Sequence, residues 1–185
     1  MALKATVYRA ELDVSDLDRQ YYASHSLTLA RHPSETEQRL MIRLLAFALF
    51  AAEDLTFGQG VSTDEEPDLW LRDATGRILH WIDLGTPDER LLRRACGRAE
   101  AVTLIGYGER SLAVWFERLR QDLERLDRLR ILALSDADCD ALSSLAQRNL
   151  KLTCTIQDGT VWLGDSERMI EITPRELQTR AGDRR

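Results

Sequence analysis

The chain has 185 residues, of which 44% are hydrophobic and 30% charged, and its 25 Lys+Arg against 31 Asp+Glu give a formal net charge of −6. That size and balance suit one soluble globular domain with a full core. The acidic sum excludes a polybasic protein that coats nucleic acid through charge alone, but not a nuclease with a local basic surface. Only Lys4 and Lys151 are lysines, so a catalytic lysine has few candidates. Cys96, Cys139 and Cys154 are odd in number and lack a CxxC spacing, and His25, His32 and His80 lack paired-ligand spacing. A disulfide framework and a structural zinc site are therefore not expected. The start MALKATVYRAEL has no charged-then-apolar leader pattern. The longest apolar run, Leu44 to Ala52, is nine residues, about half of the ~20 a membrane helix needs. The expectation is a reducing, cytoplasmic setting with no membrane partner.

Residues 3–14 alternate around Leu3, Ala5, Val7, Leu12 and Val14, the period of a half-buried strand, and Tyr21–Ala30 repeats the alternation more weakly. In His32-Pro33-Ser34-Glu35-Thr36-Glu37, the Ser34 and Glu37 spacing reads as a capping box, which satisfies two backbone donors at a helix start. That helix is expected to reach about Glu53, with Leu40, Met41, Leu44, Leu45, Ala48 and Ala51 as its buried stripe. Phe57–Ser62 suits a short strand. Asp68–Arg72 and Arg77–Leu84 are stronger strands, separated by the turn composition Asp73-Ala74-Thr75-Gly76. Thr86-Pro87-Asp88-Glu89 reads as a second helix start, with proline at the first helical position and another capping box, and a stop near Gly97–Glu100. Ala101–Gly106 is a buried strand. Glu109–Arg130 is helical, with Leu112, Trp115, Phe116, Leu119, Leu123 and Leu126 on its apolar stripe. Leu129–Leu134 reads as a strand and Asp136–Gln147 as a short helix. Leu150–Gln157 and Thr160–Leu163 form a hairpin across Asp158-Gly159, the strongest short turn signal, and Met169–Thr173 adds a strand.

Neither repeats nor a linker divide the chain, so residues 1–173 read as one domain and Pro174–Arg185 as a frayed polar tail. The order predicts an α/β protein: a mixed sheet flanked by helices, with an additional small sheet formed by the N- and C-terminal strands.

The chemistry-bearing stretch runs from Asp64-Glu65-Glu66-Pro67-Asp68-Leu69-Trp70 to His80-Trp81-Ile82-Asp83-Leu84-Gly85. A hairpin centred between Thr75 and Gly76 sets Asp68 opposite Asp83 and Trp70 opposite Trp81 on one face. Leu69, Leu71, Ile78, His80 and Ile82 take the other face. Carboxylates directly across an antiparallel pair have Cβ atoms about 4.5–5.5 Å apart and repel. The chain tolerates them if both are solvated at strand ends, if one is protonated, or if a cation lies between. Mg²⁺ held by one or two carboxylates plus substrate phosphate oxygens fits the last case. A bulge at the turn would shift the register and part the pair.

The segments His32-Pro33-Ser34-Glu35-Thr36, Glu66-Pro67-Asp68-Leu69-Trp70, Trp81-Ile82-Asp83-Leu84-Gly85 and Pro87-Asp88-Glu89-Arg90 resemble the bacterial YaeQ family. So do Met1-Ala2-Leu3-Lys4-Ala5-Thr6 and Thr155-Ile156-Gln157-Asp158-Gly159. The resemblance implies a PD-(D/E)XK, restriction-endonuclease-like core over about residues 33–134. In that superfamily an acid on the first core helix joins an aspartate and a second acid on adjacent strands, with a lysine two residues beyond. Carried over, Asp68 and Asp83 are the strand acids, and together with Glu35 they are the implied metal ligands for Mg²⁺ or Mn²⁺. Glu37 is the other helix acid, but the capping box accounts for it. The backbone carbonyl of Leu84 is a further candidate ligand. The lysine position holds Gly85. Arg93 or Arg94, on the following helix, is the implied substitute, able to bind phosphate but a poor general base because it stays protonated. Both also point away from the apolar positions Leu91, Leu92 and Ala95.

Other features have plainer readings. Pro87-Asp88 is a helix start, and Asp64-Glu65-Glu66 is a solvated acidic loop. Arg118, Arg120, Arg125, Arg128 and Arg130 alternate with Glu117, Asp122, Glu124 and Asp127, the pattern of an ion-paired exposed helix. Tyr107 and Trp70 suit base stacking or core packing. Two functions follow. One is a Mg²⁺-dependent phosphodiesterase acting on DNA or RNA through Glu35, Asp68, Asp83 and Arg93 or Arg94. The other is a catalytically inactive nuclease-fold protein that acts as a binding or regulatory module, with a protein as one candidate partner. Oligomeric state is left open by the sequence.

Overall fold

The computed structural model describes residues 5–58 and 65–183. Lys4, the start Met1–Lys4 of the family resemblance, residues 59–62 of the expected short strand, and Asp64 lie outside the described residues. In chain order the elements begin with β1 (Thr6–Asp16), β2 (Tyr21–Arg31), α1 (Glu37–Leu49), β3 (Leu55–Phe57), β4 (Leu69–Arg72) and β5 (Ile78–Leu84). They continue with α2 (Glu89–Arg98), β6 (Ala99–Gly106), α3 (Glu109–Leu123), β7 (Leu129–Ala133) and α4 (Asp136–Ser143). Last come β8 (Asn149–Gln157), β9 (Thr160–Gly164), β10 (Met169–Ile172) and β11 (Arg175–Gln178). The chain divides into two compact units, each with its own sheet: residues 5–51 with 137–173, and residues 52–58 with 65–136 and 174–183. No described helix is long and apolar enough to cross a membrane.

The first unit carries a five-stranded mixed sheet in the order β10-β9-β8-β1-β2, built from N- and C-terminal strands as expected. β1 pairs antiparallel with β2 along its whole length and parallel with β8. Its inward row, Tyr8, Ala10, Leu12 and Val14, is at most 4% exposed. The β8–β9 hairpin turns on Asp158 and Gly159 with φ of 52° and 74°, the positive-φ pair that matches strand twist. Asp18 accepts both turn amides, at 2.8 and 2.9 Å.

Both capping boxes are corrected. The N-cap of α1 is Thr36, whose hydroxyl accepts Arg39 N–H at 3.1 Å. Ser34 instead bonds His32 Nδ1, and Glu37 accepts the Tyr8 hydroxyl at 2.9 Å. A long-range partner for Glu37 outcompeted the local one. The N-cap of α2 is Asp88, accepting Arg90 N–H at 2.9 Å, so Pro87 precedes the helix and does not open it. The expected stripe of α1 is buried, and burial extends beyond it to every residue from Leu40 to Ala48, while the helix ends at Leu49 and not near Glu53. Apart from Arg43, this stretch is apolar all round the helix, so it needs more than a single stripe of cover.

The second unit holds a six-stranded sheet in the order β11-β7-β6-β5-β4-β3. β5, β6 and β7 run parallel, while β3, β4 and β11 are antiparallel to their neighbours. Its core gathers Trp70 and Trp81 from the strands, Leu92 and Ala95 from α2, and Leu112, Trp115 and Leu123 from α3. The predicted α3 stripe packs as expected, but the helix ends at Leu123, six residues short of β7. The tail is not frayed: β11 pairs antiparallel with β7. Leu177 packs on the core, and the buried Gln178 amide donates to Leu123 O (2.9 Å) and Leu129 O (3.3 Å).

Candidate functional site

β4 and β5 meet in the predicted register, with Leu69 opposite Ile82, Trp70 opposite Trp81 and Leu71 opposite His80. The tryptophans pack edge to face, centroids 6.1 Å apart at 89°. Arg72 lies over the Trp70 ring and Arg98 over the Trp81 ring, in cation–π contact. The turn is held by Asp73, whose Oδ1 accepts Thr75 Oγ1–H, Thr75 N–H and Arg77 N–H. The Thr75 hydroxyl leads in drawing its pKa down to about 2. A register shift falls between Leu71 and Arg72. It lies on the turn side, so Leu69 to Leu71 keep the expected register, but it moves Ile78 into the tryptophan cluster rather than onto the His80 face.

Asp68 sits one residue before β4 and is 6% exposed; Asp83 lies within β5 and is half-buried. Asp83 Oδ1 accepts the Asp68 N–H at 3.3 Å, and Oδ2 accepts the Trp81 indole N–H at 2.7 Å. Asp68 Oδ2 in turn accepts the Leu84 N–H at 3.0 Å. The two carboxylates thus bracket the open end of the hairpin. Hydrogen bonds to N–H donors offset the repulsion between them. An ionised carboxylate presents about four lone-pair sites on hard oxygen atoms. The donor set therefore fits one hard divalent cation whose remaining ligands are water or phosphate oxygens.

Gly85, at the lysine position, has φ of +93° and donates its N–H to Ile105 O at 2.9 Å. An added Cβ would meet only the Tyr107 ring, at 3.8 Å. Space is available, and the backbone conformation is what excludes a lysine here. Arg93 is exposed and ion-paired to Glu89, with Nε 2.9 Å from Oε1. That hydrogen bond raises its already high pKa further. Arg94 is exposed one position on.

Glu35 belongs to the first unit, two residues before α1. It is 4% exposed and held by Arg39 Nη1 at 3.1 Å, Arg43 Nη2 at 3.0 Å and Arg43 Nε at 3.0 Å. Arg43, 2% exposed, also donates to Ala30 O at 3.0 Å. Both carboxylate oxygens are therefore engaged by guanidinium groups. Among the described residues no three His, Cys, Asp or Glu side chains form a metal-holding group. Sequence reasoning missed both arginines and the Trp81 indole. The i, i+4, i+8 spacing of Glu35, Arg39 and Arg43 was the available signal for the first two.

At the carboxyl ends of β5, β6 and β7, a cavity of about 630 Å³ opens beside the first turns of α3, lined by Thr86, Arg110, Ser111, Trp115, Arg118 and Asp136. Arg120 and Arg125 pair with Glu117 and Asp122 as the sequence suggested; Arg130 lies in β7, not on the helix, and pairs with Glu176, whereas Arg110 and Arg118 enter no ion pair among the described residues.

The family model described as YaeQ protein matches residues 1–174. The YaeQ proteins of Salmonella typhi and Escherichia coli strain K12 are 44% and 43% identical over 172 residues, 93% of this chain and 95% of theirs. The crystal structure of the YaeQ protein from Xanthomonas axonopodis pv. citri superposes with a TM-score of 0.91 at 49% identity, covering 94% of this chain and 98% of that one. That of the Pseudomonas syringae YaeQ protein gives 0.91 at 38%, covering 96% and 98%. None of these names states an activity. The chain belongs to the YaeQ family.

Proposed function

We propose that the second unit is a restriction-endonuclease-like core whose Asp68–Asp83 pair holds one Mg²⁺ or Mn²⁺ for hydrolysis of a phosphodiester in DNA or RNA. The observation that carries this reading is the placement of two carboxylates at the same end of adjacent strands, tied together by the Asp68 N–H on Asp83 and the Leu84 N–H on Asp68. The succession β3–β5, α2, β6 within that unit supports the same reading. Bound there, the cation would polarise the phosphoryl group and lower the pKa of a water. Asp68 and Asp83 orient it, Leu84 O is a further oxygen at the same strand end, and Arg110 and Arg118 suit the anionic backbone. Glu35 is left out of the ligand set because Arg39 and Arg43 engage both its oxygens. Arg93 is a phosphate contact at most, since Glu89 already holds it.

Titration calorimetry with MnCl₂ and MgCl₂ tests the proposal on the wild type, Asp68→Asn and Asp83→Asn, with circular dichroism to show that each variant is folded; the Asp68 amide keeps an acceptor oxygen for the Leu84 N–H, whereas the Asp83 amide can keep only one of its two N–H bonds. Micromolar to low-millimolar binding that is lost in both variants is the expected result. No binding by the wild type, or binding unchanged in folded variants, overturns the metal site. It leaves the second reading, a silent nuclease fold retained for binding, which the positive φ of Gly85 favours.

A further inference from the structure

The four edges of the two sheets are not alike. β3 has three residues, and β10 and β11 have four each. Glu171 lies in β10, and Arg175 and Glu176 lie in β11. Short, charged edges of this kind resist pairing with another chain. β2 is different. It has 11 residues, ends its sheet, pairs among the described residues with β1 alone, and contains no proline and no register shift. From Tyr22 to Thr28 its side chains are Tyr, Ala, Ser, His, Ser, Leu and Thr, none of them Lys, Arg, Asp or Glu. His25 is the one titratable imidazole there, and burial pushes its pKa down, so it is neutral at pH 7.

Burial across the sheet shows the same opening. The inward row of β1 is at most 4% exposed. The matching row of β2, Tyr21, Ala23, His25 and Leu27, is only half-buried until Leu29 closes it at 1%. α1 reaches this row, Phe47 packing edge-on to His25 at 5.0 Å. Near its end the strand is covered, since Arg43 occupies the Ala30 carbonyl. The open stretch is therefore Tyr22–Thr28.

We propose that this edge is a homodimer interface: β2 of a second copy adds antiparallel to Tyr22–Thr28, joining two five-stranded sheets into one of ten strands. The chemistry selects a second copy. A two-fold axis within the stretch sets only neutral side chains against one another, so no like charges oppose. The same patch on both subunits is then self-complementary. The added strand supplies main-chain hydrogen bonds, and it extends cover over Ala23, His25 and Leu27.

Sedimentation of the full chain over a wide concentration series is the test, with amide hydrogen exchange as its companion. The expected result is a mass of twice 21.1 kDa, with alternate β2 amides gaining protection as concentration rises. Leu27→Lys places an inward-pointing charge at the edge. It should return the mass to that of one chain while circular dichroism and thermal melting show a folded protein. Should that variant fail to fold, the wild-type exchange series decides. A monomer at every concentration, a folded Leu27→Lys dimer, or β2 amides that exchange equally fast in dilute and concentrated samples overturns the interface.

Discussion

Replacing Arg43 by methionine should destabilise the protein by about 3–5 kcal/mol, the usual cost of removing one partner from a buried ion pair. Arg43 and Glu35 side chains are 2% and 1% exposed, and Nη2 and Nε each stand 3.0 Å from a Glu35 oxygen. Without the guanidinium, Glu35 keeps only Arg39, at 3.1 Å and itself 17% exposed, and the Ala30 carbonyl loses its donor. Methionine fills much of the volume, so the loss reports the charge and hydrogen bonds rather than a void. For a urea slope of about 2–3 kcal/mol per M, the midpoint should fall by about 1–2.5 M. The measurement is run with EDTA present, which separates a fold-holding Glu35 from a metal-holding one. Combining Arg43→Met with Glu35→Leu should recover most of the loss, because an uncharged pair carries no desolvation debt. A change below about 1 kcal/mol, the worth of an exposed pair, would refute the buried bracket and return Glu35 to the list of metal ligands.

Gln178→Ala should cost about 1–3 kcal/mol, since it strips the amide from two buried carbonyls, at Leu123 and Leu129. Limited proteolysis within Arg175–Gln178 should accelerate, and unchanged cleavage would show that β11 is held by its ladder alone. Burial raises the Cys154 thiol from 9.0 to about 12 and the Cys96 thiol to about 11. The unfolded chain releases these protons near pH 9 while the folded chain keeps them, so their contribution is complete below pH 9 and falls as pH rises toward 12. Thermal melts at about pH 8 and about pH 10.5 should show a drop that is smaller in Cys154→Ala; an equal drop in both would locate the alkaline sensitivity elsewhere.

In the second unit β4 to β7, α2 and α3 were legible because each carries a local signal. The alternation around Trp70 and Trp81 with the Asp73–Gly76 turn fixed a register that the structure reproduces from Leu69 to Leu71. The Asp158-Gly159 pair likewise announced its hairpin. The capping boxes failed for a physical reason: a Ser/Glu spacing is a two-body local pattern. Glu37 has a hydroxyl partner 29 residues away in Tyr8, a contact outside any sequence window. The tail misled because its strand is polar by composition. β11 is held by edge pairing, one leucine and one buried amide, not by an apolar run.

The candidate site divides along the same line. Opposed aspartates follow from strand period and turn position alone, so Asp68 and Asp83 could be paired on paper. What the carboxylates do with their oxygens could not, because the donors are a backbone amide on the other strand and an indole two residues back. These bonds make the pair part of the hairpin's closure whether or not a cation ever binds. Removing either acid therefore perturbs the fold and the proposed metal site together, and loss of activity in an alanine variant would not tell them apart. Asparagine separates the two roles. At Asp68 it keeps an oxygen for the Leu84 N–H but gives up the charge that a divalent ion requires, so a folded Asp68→Asn that still bound Mn²⁺ would leave that aspartate as structure only.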